Sequence, residues 1–123
     1  MIAEFATHDG GLKMPTTLVA LEDDELIGSV SLLDNDHDDI RAYSPWLASL
    51  YVRPDQRGRG LGIDLVRRCE DMAHRLGVER LYLYTSGQEP FYRKLGWQDV
   101  ATVHLRGVCA TVMGIAPRAL AAA

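Results

Sequence analysis

Two apolar runs near the start of the chain, Thr17–Glu22 (TLVALE) and Leu26–Leu33 (LIGSVSLL), are joined by Asp23-Asp24-Glu25, a pattern that predicts a hairpin of antiparallel strands. Gly28 in the second run signals a bulge or a close backbone approach. Trp46–Val52 (WLASLYV) is apolar apart from Ser49, which predicts a strand covered on both faces, and Pro54 stops it. The period then changes. Leu61, Leu65, Val66, Cys69, Met72, Ala73 and Leu76 fall on one helical face, with Arg67, Arg68, Glu70, Asp71, His74 and Arg75 mostly opposite and Gly77 suited to the C′ position. Arg80–Thr85 (RLYLYT) reads as a further strand. Strand, helix and strand in this order make a right-handed βαβ unit whose strands are parallel. Ser86-Gly87-Gln88-Glu89 has capping-box spacing and Pro90 follows in the first turn, predicting a short helix through Leu95 that Gly96 closes. Trp97–Leu105 and Val108–Ile115 form a final hairpin around Arg106-Gly107. Residues 1–15 carry no period, and residues 116–123 (APRALAAA) are a low-complexity tail expected to fray.

Composition narrows the class. A chain of 123 residues fits one domain spanning 1–123 and buries roughly two-thirds of its unfolded surface. Its 47% hydrophobic and 24% charged residues suit an ordinary globular protein. A net charge of −4 supplies no broad basic face for nucleic acid. No apolar run reaches the roughly 20 residues that span a bilayer, and MIAEFATHDG lacks a signal pattern, so the expected location is the cytoplasm. Cys69 and Cys109 sit inside apolar segments without metal-ligand spacing and read as two small buried hydrophobes. The acidic stretch Asp34-Asn35-Asp36-His37-Asp38-Asp39 reads as a solvated loop, as a negative rim attracting a cationic amine, or as the home of a general base. Its D-x-D-x-D spacing resembles a calcium loop but lacks the glycine and distal glutamate, so no metal site is expected.

Chemistry concentrates after the Trp46–Val52 strand, in Gln56–Gly62 (QRGRGLG). Glycines at a strand-to-helix turn let backbone N–H groups approach an anion, and the helix N-terminus adds unsatisfied donors and partial positive charge. A dinucleotide-binding turn fails on glycine spacing, with Thr85 and Ser86 rather than an acid after the next strand, and a Walker turn fails because Leu61 and Gly62 follow Gly60. Arg57-Gly58-Arg59-Gly60-Leu61-Gly62 does match R/Q-x-x-G-x-G/A, and the FYRKLGW segment Phe91–Trp97 is similar to a second marker of the same family. The chain thus resembles the GNAT superfamily of N-acetyltransferases from roughly Thr17 to Met113.

The resemblance implies an α/β fold built on a mixed, splayed β-sheet with a central βαβ unit and flanking helices. It implies acetyl-CoA as cosubstrate, with the pyrophosphate on Arg57, Gly58, Arg59, Gly60, Leu61 and Gly62. The pantetheine arm would pair with the backbone of Leu50, Tyr51 and Val52 like an added strand, and an amide of that stretch would face the thioester oxygen. It gives Tyr92 the role of acid to the leaving thiolate, since a phenol with a reference pKa near 10 can protonate a thiolate near 8.5. No base is assigned; candidates are Asp34, Asp36, His37, Asp38, His104 or a water chain. The acceptor is expected to be a small cationic amine, not nucleic acid or membrane, and a homodimer is implied. The family usually begins with a strand and two helices, for which the N-terminal region has little room. That departure supports a rival reading, a CoA-binding sensor or inactive GNAT-like subunit.

Overall fold

The computed structural model describes residues 4–7, 15–34 and 43–120. Seven strands form one mixed sheet: β1 (Glu4–Thr7), β2 (Thr16–Glu22), β3 (Glu25–Leu33), β4 (Trp46–Val52), β5 (Leu81–Thr85), β6 (Gln98–Leu105) and β7 (Val108–Ile115), in spatial order β1-β2-β3-β4-β5-β7-β6. Two helices accompany them, α1 (Leu61–Arg75) and α2 (Glu89–Lys94). β1 lies in the segment where the sequence showed no period; it pairs antiparallel with β2 from Glu4↔Leu21 to Thr7↔Leu18.

Turn chemistry sets both hairpins. Asp23 and Asp24 have φ of 51° and 68°, and Arg106 and Gly107 have φ of 52° and 79°, the two successive positive values that a type I′ turn requires to match strand twist. Gly28 answers to both expected causes. Register slips beside it, between Ala20 and Leu21, and a Cβ there would lie 2.9 Å from Leu65 Cδ1 and 3.0 Å from the Tyr51 carbonyl. α1 therefore packs directly on the backbone of β3.

Side chains alternate across the sheet. On one face Leu18, Ala20, Ile27, Val30, Leu47, Leu83 and Met113 meet α1 through Leu61, Leu65, Val66, Cys69, Met72 and Ala73. On the other, Trp46, Leu105 and Val112 pack with Tyr43, Tyr82 and Tyr84. α1 ends in a Schellman motif: the Gly77 amide donates to His74, and Val78 to Ala73, each at 3.0 Å. Residues 116–120, expected to fray, are instead tied down. Pro117 is buried and the Leu120 amide donates to Asp71 Oδ1 at 3.0 Å.

Two irregularities shape the centre of the sheet. β4 and β5 run parallel, yet their only register pair is Trp46↔Tyr82, so the strands part beyond it. β4 itself is bulged: Ser31 faces Ala48 but Ser29 faces Tyr51, and Ser49 has φ 57°. The extra residue shifts the alternation by one position. Leu50 and Val52 consequently join Leu47 against the α1 core, while Ser49 and Tyr51 are exposed. The strand expected to be covered on both faces is covered so only at its start.

Candidate active site

A groove of about 820 Å³ runs along the end of β4 and the start of α1, lined by Leu50, Val52, Gln56, Arg57, Gly58, Gly60, Leu61, Gly62, Ile63, Gln88, Phe91 and Tyr92. Local folding explains its floor. After β4 a single 3-10 turn (Pro54–Gln56) is fixed by Arg53, whose amide donates to Ile27 at 2.8 Å and whose guanidinium holds Asp55 and Glu25. The Arg53 side chain holds the Asp55 carboxyl below its ordinary range, so that acid stays ionised and paired. Gln56 is buried, and Arg57 Nε donates to the Val52 carbonyl at 3.2 Å.

Gly58 and Gly60 both have φ of +81°, a left-handed conformation that costs a side-chain-bearing residue about 1–2 kcal/mol. Nothing lies within 4 Å of a Cβ built on either. The first helical bond of α1 runs from the Asp64 amide to the Gly60 carbonyl at 3.0 Å, so the amides of Leu61, Gly62 and Ile63 precede the ladder, and Gly60 offers no side-chain cap. Open space before unsatisfied donors, with the Arg57 guanidinium beside it, fits the phosphate end of acetyl-CoA. The groove's volume lies within the range of small-molecule sites.

Seven of the nine residues expected at the cofactor line this groove: Leu50, Val52, Arg57, Gly58, Gly60, Leu61 and Gly62. Tyr51 does not; the bulge leaves its side chain exposed. Arg59 does not line it either, and Arg59 Nη1 donates to Gln56 Oε1 at 3.4 Å. Gln56, Ile63, Gln88 and Phe91 also line it and were not among the residues expected at the cofactor. Gln56 and Phe91 lie in the two marker stretches, and Ile63 left a signal as an apolar residue off the buried face of α1.

A second, smaller cavity of about 290 Å³ fills the gap between β4 and β5, lined by Leu47, Ala48, Ser49, Leu50, Leu83, Tyr84 and Tyr92. Tyr92 and Leu50 border both spaces. Tyr92 is 8% exposed, and burial raises its phenol above the ordinary tyrosine value, so it remains protonated at neutral pH. Its backbone is held by the end of α2. The Tyr92 carbonyl accepts from Leu95 and Trp97 at 3.0 and 3.1 Å, Gly96 takes φ 99°, and the Tyr92 and Trp97 rings meet edge-on at 6.1 Å, a Schellman closure with its apolar contact. The start of α2 departs from the expected capping box. Gln88 rather than Ser86 is the N-cap; Glu89 accepts the Gly87 amide at 2.8 Å and Thr85 Oγ1 accepts the Gln88 amide at 3.2 Å. Ser86 is exposed.

Of the base candidates, Asp36, His37 and Asp38 lie outside the described residues. Asp34 and His104 are exposed and line neither space. Among the described residues no carboxylate or imidazole borders the groove or the gap, and no group of three His, Cys, Asp or Glu is gathered as for a metal. Burial pushes the Cys69 thiol far up, leaving it unreactive, whereas Cys109, also expected to be buried, is exposed. No described helix is long and apolar enough to cross a membrane.

Comparison with known proteins bears on the groove. Residues 4–97 match the model of the acetyltransferase (GNAT) family. A search of curated proteins gives no match. Among solved structures, yncA from Salmonella typhimurium, determined with its cofactor acetyl-CoA, is 26% identical with a TM-score of 0.69, over 89% of this chain and 69% of that one. An aminoglycoside 6'-N-acetyltransferase complexed with coenzyme A is 17% identical with a TM-score of 0.71, over 87% and 75%. Arabidopsis thaliana Naa50, bound to a bisubstrate analogue, is 19% identical with a TM-score of 0.64, over 81% and 72%. A glycine turn with free backbone donors before α1, a sheet parted beside it and a family match over most of the length lead to one conclusion: this chain belongs to the GNAT family of acetyltransferases.

Proposed function

We propose that the protein transfers acetyl directly from acetyl-CoA to an amine. The cosubstrate supplies an activated acetyl group as a thioester. Arg57 and the amides of Leu61, Gly62 and Ile63 hold its phosphates. The β4 backbone from Leu50 to Val52, which has no ladder partner on β5, pairs with the extended pantetheine arm and sets the thioester in the gap. A β4 amide beside the Ser49 bulge stabilises charge on the carbonyl oxygen. The Tyr92 hydroxyl then gives its proton to the departing thiolate. The observation that carries this reading is the position of Tyr92, a buried, protonated phenol bordering both the groove and the gap.

The reacting group is an amine. The small cationic acceptor expected from the acidic stretch has less support, because the single described residue of that stretch, Asp34, lines neither space. With no base among the described lining residues, the amine loses its proton to water before attack. The same observation favours a second reading, a CoA-binding sensor without turnover. Titrating acetyl-CoA calorimetrically and following thiol release over an amine panel separates them. Tyr92→Phe should lower turnover by roughly 10²-fold or more while acetyl-CoA affinity stays near the native value. An unchanged rate removes Tyr92 from the role.

A further inference from the structure

We propose that the acceptor carries a carboxylate as well as its amine, and that Arg106 in the β6–β7 turn binds it; the inference rests on the transferase reading above. A third hollow, about 560 Å³, lies under that turn and is lined by residues including Tyr84, Ser86, Leu105, Arg106 and Val108. Tyr84 also borders the gap between β4 and β5. The gap in turn shares Leu50 and Tyr92 with the cofactor groove. The three spaces therefore follow one another through the parted sheet, from the α1 side to the side where Tyr84 packs with Trp46. Cosubstrate in the first leaves the third as the approach for the second substrate.

Charge says what that approach receives. Among the described residues Arg106 is the one charged residue lining the third hollow, and it has no ion pair there. Glu89, which does not line the hollow, has its carboxylate engaged by the Gly87 amide and the Thr111 hydroxyl, at 2.8 and 2.9 Å. The hollow's remaining walls are apolar or bear hydroxyls, and Val108 is 52% exposed. Among the described residues no acid lines the hollow to compete for this guanidinium; it matches one monoanion, and its planar fork suits a carboxylate. A cationic acceptor tail would meet repulsion there. The turn also fixes the guanidinium's origin. Arg106 stands at φ 52° in a two-residue turn where Asn, Asp or Gly is usual, between two eight-residue strands.

The test compares matched amines, an ω-amino acid against its own carboxamide, by thiol release at saturating acetyl-CoA. The native protein should favour the acid by about tenfold or more in kcat/KM, with the difference carried by KM. Arg106→Asn, which suits a left-handed turn, should bring the ratio near one, and Arg106→Lys should restore part of it. Calorimetric binding of acetyl-CoA checks that each variant is folded. Equal use of acid and carboxamide by the native protein, or a preference that survives in Arg106→Asn, overturns the carboxylate subsite while leaving the transferase reading intact. Absence of acetyl-CoA binding, or binding without turnover on any amine, overturns both.

Discussion

Gly60 and Gly62 lie two residues apart in one turn, yet replacing each by alanine should change stability in opposite directions. At Gly60 the backbone has φ +81°. An added methyl meets nothing within 4 Å, so the cost is conformational alone, about 1–2 kcal/mol. For a domain of this size that lowers the unfolding midpoint by roughly 3–10 °C. At Gly62 the backbone is helical, and the methyl would touch Phe91 Cζ and Val52 Cγ2 at 3.7 Å each, ordinary contact distances. There alanine removes the flexibility of a helical glycine and gains up to about 0.5–1 kcal/mol. Thermal and denaturant unfolding of the protein without acetyl-CoA would measure both, and calorimetry with acetyl-CoA would follow the cradle. We expect Gly60→Ala to be destabilised and to bind less tightly. We expect Gly62→Ala to be at least as stable as the native protein and to retain binding, in keeping with the Gly/Ala alternative of the motif. A Gly60→Ala protein that unfolds at or above the native temperature would refute the claim that a left-handed residue shapes the anion cradle.

Two further outcomes follow from side chains already described. Gly96→Ala forces a methyl-bearing residue to φ 99° and should cost about 1–3 kcal/mol by chemical denaturation; because the same closure seats Tyr92, turnover should fall more than acetyl-CoA affinity. Burial raises the Glu70 carboxyl above its ordinary value of 4.5, with Arg67 opposing the rise. A carboxyl with a higher pKa folded than unfolded binds more protons in the native state, so its contribution favours folding less as pH climbs from the unfolded value through the folded one. Glu70→Gln should flatten that part of the stability profile, measured by urea unfolding from pH 4 upward. An unchanged slope would show that Glu70 does not titrate with folding.

The elements legible in the sequence were those with a strong period or an unambiguous stop. α1 announced itself by its apolar face and Gly77, and both hairpins by charged or glycine-bearing pairs between apolar runs. β1 was not legible because Glu4–Thr7 is too short to show alternation and takes its stability from pairing with β2. The bulge in β4 left no mark, since serine has no preference for φ 57° and the strand's composition reads the same in either register. That hidden shift turns the Tyr51 side chain to solvent, while its backbone, the part expected to meet the pantetheine arm, has no ladder partner on β5. Gly58 and Gly60 were legible because a φ of +81° disfavours any residue with a side chain, whereas Gly62 is helical and was legible only through its place in the motif. Gln88 and Phe91 border it only through the docking of α2, which no local pattern records. The C-terminal alanines mask a different lesson: Leu120 is held through its backbone amide by Asp71, a bond indifferent to side-chain identity.

The parting of β4 from β5 creates two strand edges inside the sheet rather than at its rim. An exposed edge is ordinarily an invitation to another chain and a route to aggregation. Here the two edges face each other across a space of about 290 Å³ walled by residues including Leu83, Tyr84 and Tyr92, with β3 and β7 already paired to their far sides. A thin, extended, amide-bearing ligand can still enter. On the transferase reading proposed above, the notch keeps the adhesive property of a free edge for a thin, backbone-like guest, the pantetheine arm.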